Sequence, residues 1–219
     1  MLQYTVDGVQ DPERHLVYNK LIISMYSLSD KAKESLLIRD SNNYEYQQIR
    51  SYAASPLSAK QLFQDILDSQ INLSLIEEEP ISTKKLDFQK HHESLQIELF
   101  NKIWLTQFYA EDEIVLMKDL IKNQEINIQD KCLIISALTL NLLRNFDEDK
   151  ILLLFDFYSE SEPIIKQRAI VGIMLSMYQY DNRLHFYPAI RNRLVIQADN
   201  VDFCKNVQFV IIQFIRSKE

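Results

Sequence analysis

The order of apolar and polar positions follows helical spacing over nearly the whole chain. After Pro12, apolar residues recur three and four positions apart, as they do on the buried face of an amphipathic helix. This spacing predicts a first helix over residues 12–28 and a second, weaker helix over residues 30–52. The pair Asn42-Asn43 is a candidate break in the second of these helices.

A third helix is predicted to begin at Ser55-Pro56, because serine supplies a capping oxygen and proline suits the first helical turn. Its apolar face carries Leu62, Phe63, Ile66 and Leu67. The acidic run ending at Pro80 marks a boundary, so we predict an N-terminal helical segment over residues 1–80 and a repeat region over residues 81–219. Whether the N-terminal segment belongs to the same stack of helices stays open. The polar residues 82–93 fit either the exposed start of a long helix or a linker.

The second region has the more regular pattern. It predicts seven helices joined by short polar turns, over residues 94–109, 112–123, 128–145, 147–159, 163–179, 182–197 and 200–217. Candidate capping residues stand at four of the helix starts, namely Asp112, Asp147, Asp181 and Asn200. Connections this short favour antiparallel packing of consecutive helices.

A shift of 35 residues superimposes alternate helices of this region. The shift aligns Lys131 with Lys166, Ile134 with Ala169 and Cys204, Ala137 with Gly172 and Val207, and Leu142 with Met177 and Ile212. A glycine inside a helix costs about 1 kcal/mol relative to alanine, so Gly172 predicts a helix contact without room for a β-carbon. A glycine that is merely tolerated is the alternative. A repeat of this length is typical of stacked helical hairpins, in which no hairpin buries its apolar face alone.

The segment from Glu162 to Ile173 resembles the opening of the first helix of a HEAT repeat. It has a proline at its start, then an aliphatic-basic pair, then small and aliphatic residues at helical spacing. The resemblance to the HEAT/armadillo-like repeat families extends over roughly residues 94–219. It implies an all-α fold, a right-handed α-α superhelix of helical hairpins, and, by the habit of these families, the binding of a protein or peptide.

Composition agrees with a helical chain. Only Gly8 and Gly172 are glycines among 219 residues, whereas about 7% is usual. Glycine supplies the positive φ angles that hairpin turns and phosphate-binding loops use, so β-rich folds, dinucleotide-binding units and P-loops are disfavoured. The net charge of −7 disfavours nucleic acid as a partner, because its recognition relies on an excess of Lys and Arg.

The sequence carries no evident targeting or membrane segment. Its first residues lack the basic and apolar regions of a secretory signal, and no segment approaches the ~20 apolar residues of a membrane span. Cys132 and Cys204 lie inside apolar helical patterns, which favours buried reduced thiols over a disulfide or a metal site. We therefore expect a cytoplasmic protein with no membrane partner, unless a longer parent chain carries a signal.

Candidate chemistry is sparse. His91 and His92 are adjacent on a predicted helix and point about 100° apart, so they cannot chelate one ion as an i,i+4 pair does. His15 and His185 are isolated, and no nucleophile-elbow motif or zinc-protease motif occurs. The sequence thus predicts no catalytic residue, no metal ligand and no cofactor.

One aromatic cluster is the candidate partner-binding surface. It surrounds the predicted turn at Asp181-Asn182 and consists of Tyr178, Tyr180, Phe186 and Tyr187. Tyrosine supplies binding energy at low entropic cost, and Pro188 would kink or delay the next helix and open a groove. The alternative is that these rings cover an edge of the core.

The last predicted helix is rich in apolar residues. Its main stripe comprises Phe203, Cys204, Val207, Val210, Ile211, Phe214 and Ile215. Phe209 and Ile212 lie off this stripe, on the side that a terminal repeat normally keeps polar. We therefore predict an association helix through Phe209 and Ile212, covered by further repeats or by a second copy of the chain as a homodimer.

These patterns favour a non-enzymatic protein-interaction or scaffold module, belonging to a larger protein. The alternative is an enzyme on the same scaffold, similar to the HEAT-like DNA glycosylases, which need a cationic concave surface, aromatic residues and an acid. Trp104, Tyr109 and Asp112 are the candidates for those roles, and the acidic balance of the chain argues against them.

Overall fold

The structure is a computed structural model that describes residues 13–52, 58–75 and 83–217. These ranges contain ten helices and no strand, which confirms the all-α prediction. In chain order the helices are α1 (Arg14–Asp40), α2 (Tyr44–Tyr52), α3 (Ala59–Leu75), α4 (Thr83–Leu105), α5 (Glu111–Lys122), α6 (Ile128–Arg144), α7 (Glu148–Tyr158), α8 (Pro163–Leu184), α9 (Pro188–Ala198) and α10 (Val201–Arg216).

The chain divides into two compact units, Met1–Gln47 and Gln48–Glu219. In the first unit, α1 runs without interruption where the sequence predicted two helices, so that predicted boundary was wrong. Serine inside a helix can bond back to a preceding carbonyl, and the Ser24 and Ser35 hydroxyls donate to the carbonyls four residues earlier, each at 2.8 Å. The predicted break is confirmed, because α1 ends at Asp40 and Ser41 is extended.

Helices of the second unit contact both their chain neighbours and alternate helices. Chain neighbours pack as α3 with α4, α7 with α8, and α9 with α10. Alternate helices form two series of contacts: α4 with α6, α6 with α8 and α8 with α10, and separately α3 with α5, α5 with α7 and α7 with α9. The first series consists of the helices that the 35-residue shift superimposes. The apolar core lies between the two series.

Gly172 lies at a close contact of α8 with α6 and α7. A β-carbon built on it would overlap Thr139 Oγ1 of α6 and lie 3.0 Å from Leu154 Cδ1 of α7. This confirms the predicted contact without room for a side chain.

Helix starts were predicted well where a side chain caps the helix. Asp147 accepts from the Lys150 amide at 3.1 Å, and Asn200 accepts from the Asp202 amide at 3.0 Å. The predicted cap at Asp112 was wrong, because α5 begins one residue earlier and Glu113 accepts from the Ala110 amide at 3.0 Å.

Asp181 is also not a cap. α8 continues to Leu184, and the predicted turn is a kink within it, at Tyr180 (φ −119°, ψ 20°). The ring of Tyr180 is buried and its hydroxyl donates to the Leu142 carbonyl at 2.6 Å, which holds the kinked turn against α6.

The region around the predicted boundary near residue 80 is partly described. The predicted start at Ser55-Pro56 and the acidic run ending at Pro80 lie outside the described residues. On the predicted apolar face of α3, Leu62, Phe63 and Ile66 are buried and Leu67 is half-buried. Because α4 begins at Thr83, residues 83–93 are the start of a long helix rather than a linker, and they are largely exposed apart from the buried His92.

Candidate functional site

A polar groove lies between α3, α4 and the start of α6, with a volume of about 590 Å³. Amide side chains dominate its walls, together with two carboxylates, one histidine and a few apolar residues. The amides are Gln70, Gln89, Gln96, Asn127 and Gln129, the carboxylates are Glu93 and Glu125, the histidine is His92, and the apolar residues include Leu67, Ile71 and Leu73. Neither Lys nor Arg is among the described residues that line it.

Asp130 lies behind the groove in the first turn of α6 and is 2% exposed. A buried carboxylate must be hydrogen-bonded, and two groove residues supply the donors. The Gln70 side-chain amide donates to Oδ2 and that of Gln96 donates to Oδ1. The amide groups at the N-terminus of α6 favour a negative charge at this position. Asp130 therefore fixes the orientation of two groove side chains.

His92 joins α4 to α3 at the same place. Its Nδ1 lies 2.6 Å from Ser69 Oγ, and the Ser69 hydroxyl donates to the Ile66 carbonyl at 2.8 Å. Gln96 Nε2 lies 3.1 Å from His92 Nε2, which can accept from it. Because the Ser69 hydroxyl proton is donated to the Ile66 carbonyl, Ser69 Oγ accepts from the Nδ1–H group of His92.

Gln70 carries an unused acceptor. Because its Nε2 donates to Asp130, its Oε1 must point the other way, and this buried oxygen accepts no hydrogen bond from the described part of the chain. An unsatisfied buried acceptor costs roughly 1–3 kcal/mol.

Ser69, His92 and Asp130 are the residue types of a hydrolase triad, but their arrangement does not suit nucleophilic catalysis. Ser69 is 4% exposed, and its proton is committed to the Ile66 carbonyl. It lies inside α3, where helical bonds consume the backbone N–H groups that an oxyanion hole would need. The three residues hold the groove in place.

A second polar cluster surrounds Lys150, which is fully buried. Its ammonium group donates to the Thr106 and Gln107 carbonyls at 3.0 and 2.7 Å, and to Asn141 Oδ1 at 2.8 Å. The ammonium also lies 4.0 Å above the Tyr109 ring. Burial lowers the pKa of Lys150 to about 8, although nearby Asp147 opposes the shift. All three donors of Lys150 are used, so its ammonium closes the C-terminal end of α4 and has no donor left for a ligand.

The four residues of the predicted aromatic surface differ in their exposure. Tyr178 is 84% exposed. Tyr180 is buried, and Tyr180 and Tyr187 both pack against the Phe146 ring, with centroids 5.1 and 4.5 Å away. Phe186 is half-buried and lies against His185 at 3.7 Å. Tyr180 and Tyr187 therefore pack at an edge of the core, and a binding role for the four-residue surface stays a prediction.

The predicted association helix is α10. Phe209 is 63% exposed and Ile212 is 46% exposed, on the side expected from the sequence. Of the predicted buried stripe, Phe203 and Val210 are buried and Cys204 and Val207 are half-buried. Ile211, Phe214 and Ile215 are exposed, so the second half of α10 is more apolar on its surface than predicted.

The residues considered for a glycosylase-like role or for a metal site have separate environments. Asp112 is exposed, Trp104 packs against the core, and the Tyr109 hydroxyl donates to the Ile103 carbonyl at 2.9 Å. Both cysteines are free thiols. Over the described ranges, no group of three or more His, Cys, Asp and Glu side chains could hold a metal ion. No helix in those ranges combines the length and apolar character needed to cross a bilayer.

The polar contacts at and behind the groove were not predicted from the sequence. Ser69, His92 and Asp130 come from three helices, and no local motif joins them. The available signal was weak: His92 and Gln96 are four positions apart and alternate with the buried Leu95 and Leu99 on α4. Polar side chains interleaved with buried positions in this way indicate a polar contact inside a helix interface.

Comparison with known proteins finds no relative of this chain. No protein-family model matches the chain, and neither a curated protein nor a solved structure gives a significant match.

Proposed function

We propose that the second unit is a non-enzymatic protein-interaction module, and that its groove binds an extended segment of a partner carrying Lys or Arg. The observation that carries this proposal is the groove itself, walled by amides and carboxylates and without a cationic residue among its described lining.

Amide side chains suit the backbone of an extended peptide. Each Gln or Asn offers donors and an acceptor, matching the peptide N–H and C=O groups that an extended segment leaves free. Gln89 and Gln129 support this assignment, because both line the groove and are exposed, so a bound segment can reach their side-chain amides.

The carboxylates set the charge of the partner. Glu93 and Glu125 line the groove, and both belong to a chain with a net charge of −7. A cleft lined by one sign of charge concentrates ligands of the opposite sign and speeds their association. Lys and Arg side chains of a bound segment would pair with these two carboxylates.

We further propose that the second unit is a HEAT-like superhelix of stacked hairpins. Two observations support it: the 35-residue shift that superimposes alternate helices, and the contacts among those same helices. In such stacks each repeat contacts its neighbours and leaves surfaces available for extended partners.

Selection on an array of random peptides, probed with the labelled full chain, tests the proposed function. Bound peptides should be enriched in Lys and Arg. The double variant Glu93→Gln/Glu125→Gln, which keeps side-chain size, should lose this enrichment. Glu162→Gln is the matched control, because Glu162 is exposed outside the groove. Selection of peptides without enriched Lys or Arg, or unchanged selection by the double variant, would overturn the proposal.

A further inference from the structure

One face of α10 packs against the rest of the second unit. Phe203 and Val210 are buried, and the Phe203 ring lies 6.5 Å from that of Phe155 and 5.1 Å from that of Tyr158. Asn206 adds a hydrogen bond to the Tyr158 hydroxyl at 3.3 Å. These contacts fix the rotation of α10 and therefore determine which residues face outward.

The outward face carries a regular series of residues. They recur three and four positions apart, the spacing of a helix-pairing seam, and all are exposed: Asp202, Lys205, Phe209, Ile212 and Arg216. The centre of the series is apolar, its first end carries Asp202 with Lys205 one turn further on, and its other end carries Arg216. Within the described residues, neither Asp202 nor Arg216 forms an ion pair.

The charges at the ends distinguish the ways in which two such helices could pair. Asp202 lies seven residues before Phe209 and Arg216 lies seven residues after it. An antiparallel pair related by a two-fold axis through Phe209 would therefore place each Asp202 opposite an Arg216. A parallel pair would place like charges together, which is unfavourable.

We propose that a second copy of this chain covers the outward face of α10, in an antiparallel two-fold dimer. Phe209 packs on the partner's Phe209 near the axis, with Ile212 beside it, and Asp202 pairs with the partner's Arg216 at both ends. A two-fold interface uses the same patch on both copies, and this face is complementary to itself in that way. The proposal rests on α10 alone and is independent of the groove.

Sedimentation equilibrium of the full chain tests the proposal. We expect a concentration-dependent dimer of the 25.9 kDa chain. Phe209→Lys/Ile212→Lys should raise the dissociation constant at least about a hundredfold, because each buried apolar side chain contributes ~1.5–3 kcal/mol. Val115→Lys is the control, because Val115 is exposed on α5 and its variant should dimerise normally. A wild-type chain that stays monomeric, or a dimer unaffected by the double substitution, would overturn the proposal.

Charge reversal tests the antiparallel arrangement separately. Asp202→Arg and Arg216→Asp should each weaken self-association about tenfold, because two exposed ion pairs per dimer become repulsive. An equimolar mixture of the two variants should dimerise as tightly as the wild-type chain, since each mixed dimer again joins a cation to an anion. Circular dichroism checks that both variants stay helical. Failure of the mixture to recover would overturn the antiparallel pairing.

Discussion

Lys150 Nζ donates to Asn141 Oδ1 at 2.8 Å, and together these two side chains bond carbonyls at the C-terminal end of α4 and just beyond it. Lys150 bonds the Thr106 and Gln107 carbonyls, while Asn141 Nδ2 bonds those of Trp104 and Thr106 at 2.7 and 2.8 Å. The last carbonyls of a helix have no partner within it. The pair thus supplies donors from α6 and α7 to this end of α4 and joins three helices at one point.

Replacing Lys150 by methionine should destabilise the protein by about 3–5 kcal/mol, because the buried acceptors lose their donor. Urea unfolding followed by circular dichroism measures the loss. Lys118→Met is the control, since Lys118 is exposed on α5 and its variant should retain wild-type stability. A Lys150 variant as stable as the control would contradict the assigned role.

The free energy of unfolding should rise with pH above about 8, the pKa of folded Lys150. The folded chain releases this proton there, whereas the unfolded chain holds it up to its ordinary value of 10.5. Measurements should stay below pH 9.0, because the raised pKa of Cys132 has the opposite effect above its ordinary value, and the raised pKa of Tyr109 does so above 10.0. Urea titrations across this window should show a positive slope that Lys150→Met removes. An equal slope in that variant would assign the effect to other groups.

Gly172→Ala should destabilise the protein by about 1–3 kcal/mol despite the higher helix propensity of alanine, because the new β-carbon overlaps Thr139 Oγ1. Adding Thr139→Ala should restore part of the loss by removing that oxygen. Thermal unfolding of the two single variants and the double variant gives the coupling between the sites. Strictly additive effects would mean that the two positions do not compete for space.

Tyr180→Phe should lower stability by about 0.5–1.5 kcal/mol, because the Leu142 carbonyl loses its donor. Tyr178→Phe should leave stability unchanged, since Tyr178 is exposed. Urea unfolding of both variants compares the same chemical change at a buried and an exposed tyrosine. Equal effects would contradict the core-edge role of Tyr180.

Local signals account for what the sequence predicted well. The caps at Asp147 and Asn200 and the small residue at Gly172 each act within one helix or one contact, so their spacing reveals them. Tyr180 was harder to place, because burial of its ring against α6 outweighed the turn signal that follows it.

The groove depends on distant parts of the chain. Ser69, His92 and Asp130 meet only because α3, α4 and α6 pack together. The spacing of apolar residues shows which face of a helix is apolar, but it does not show which other helix packs against that face. Sequence could therefore predict that these helices exist, but not that their polar residues converge.

Binding at the groove is the central claim, and nuclear magnetic resonance tests it most directly. A Lys- and Arg-rich peptide selected on the array is titrated into the full chain while side-chain amide resonances are recorded. We predict saturable shifts for Gln89 and Gln96, which line the groove, and none for Gln167, which is exposed on α8. Unshifted Gln89 and Gln96 resonances at a saturating peptide concentration would contradict the account.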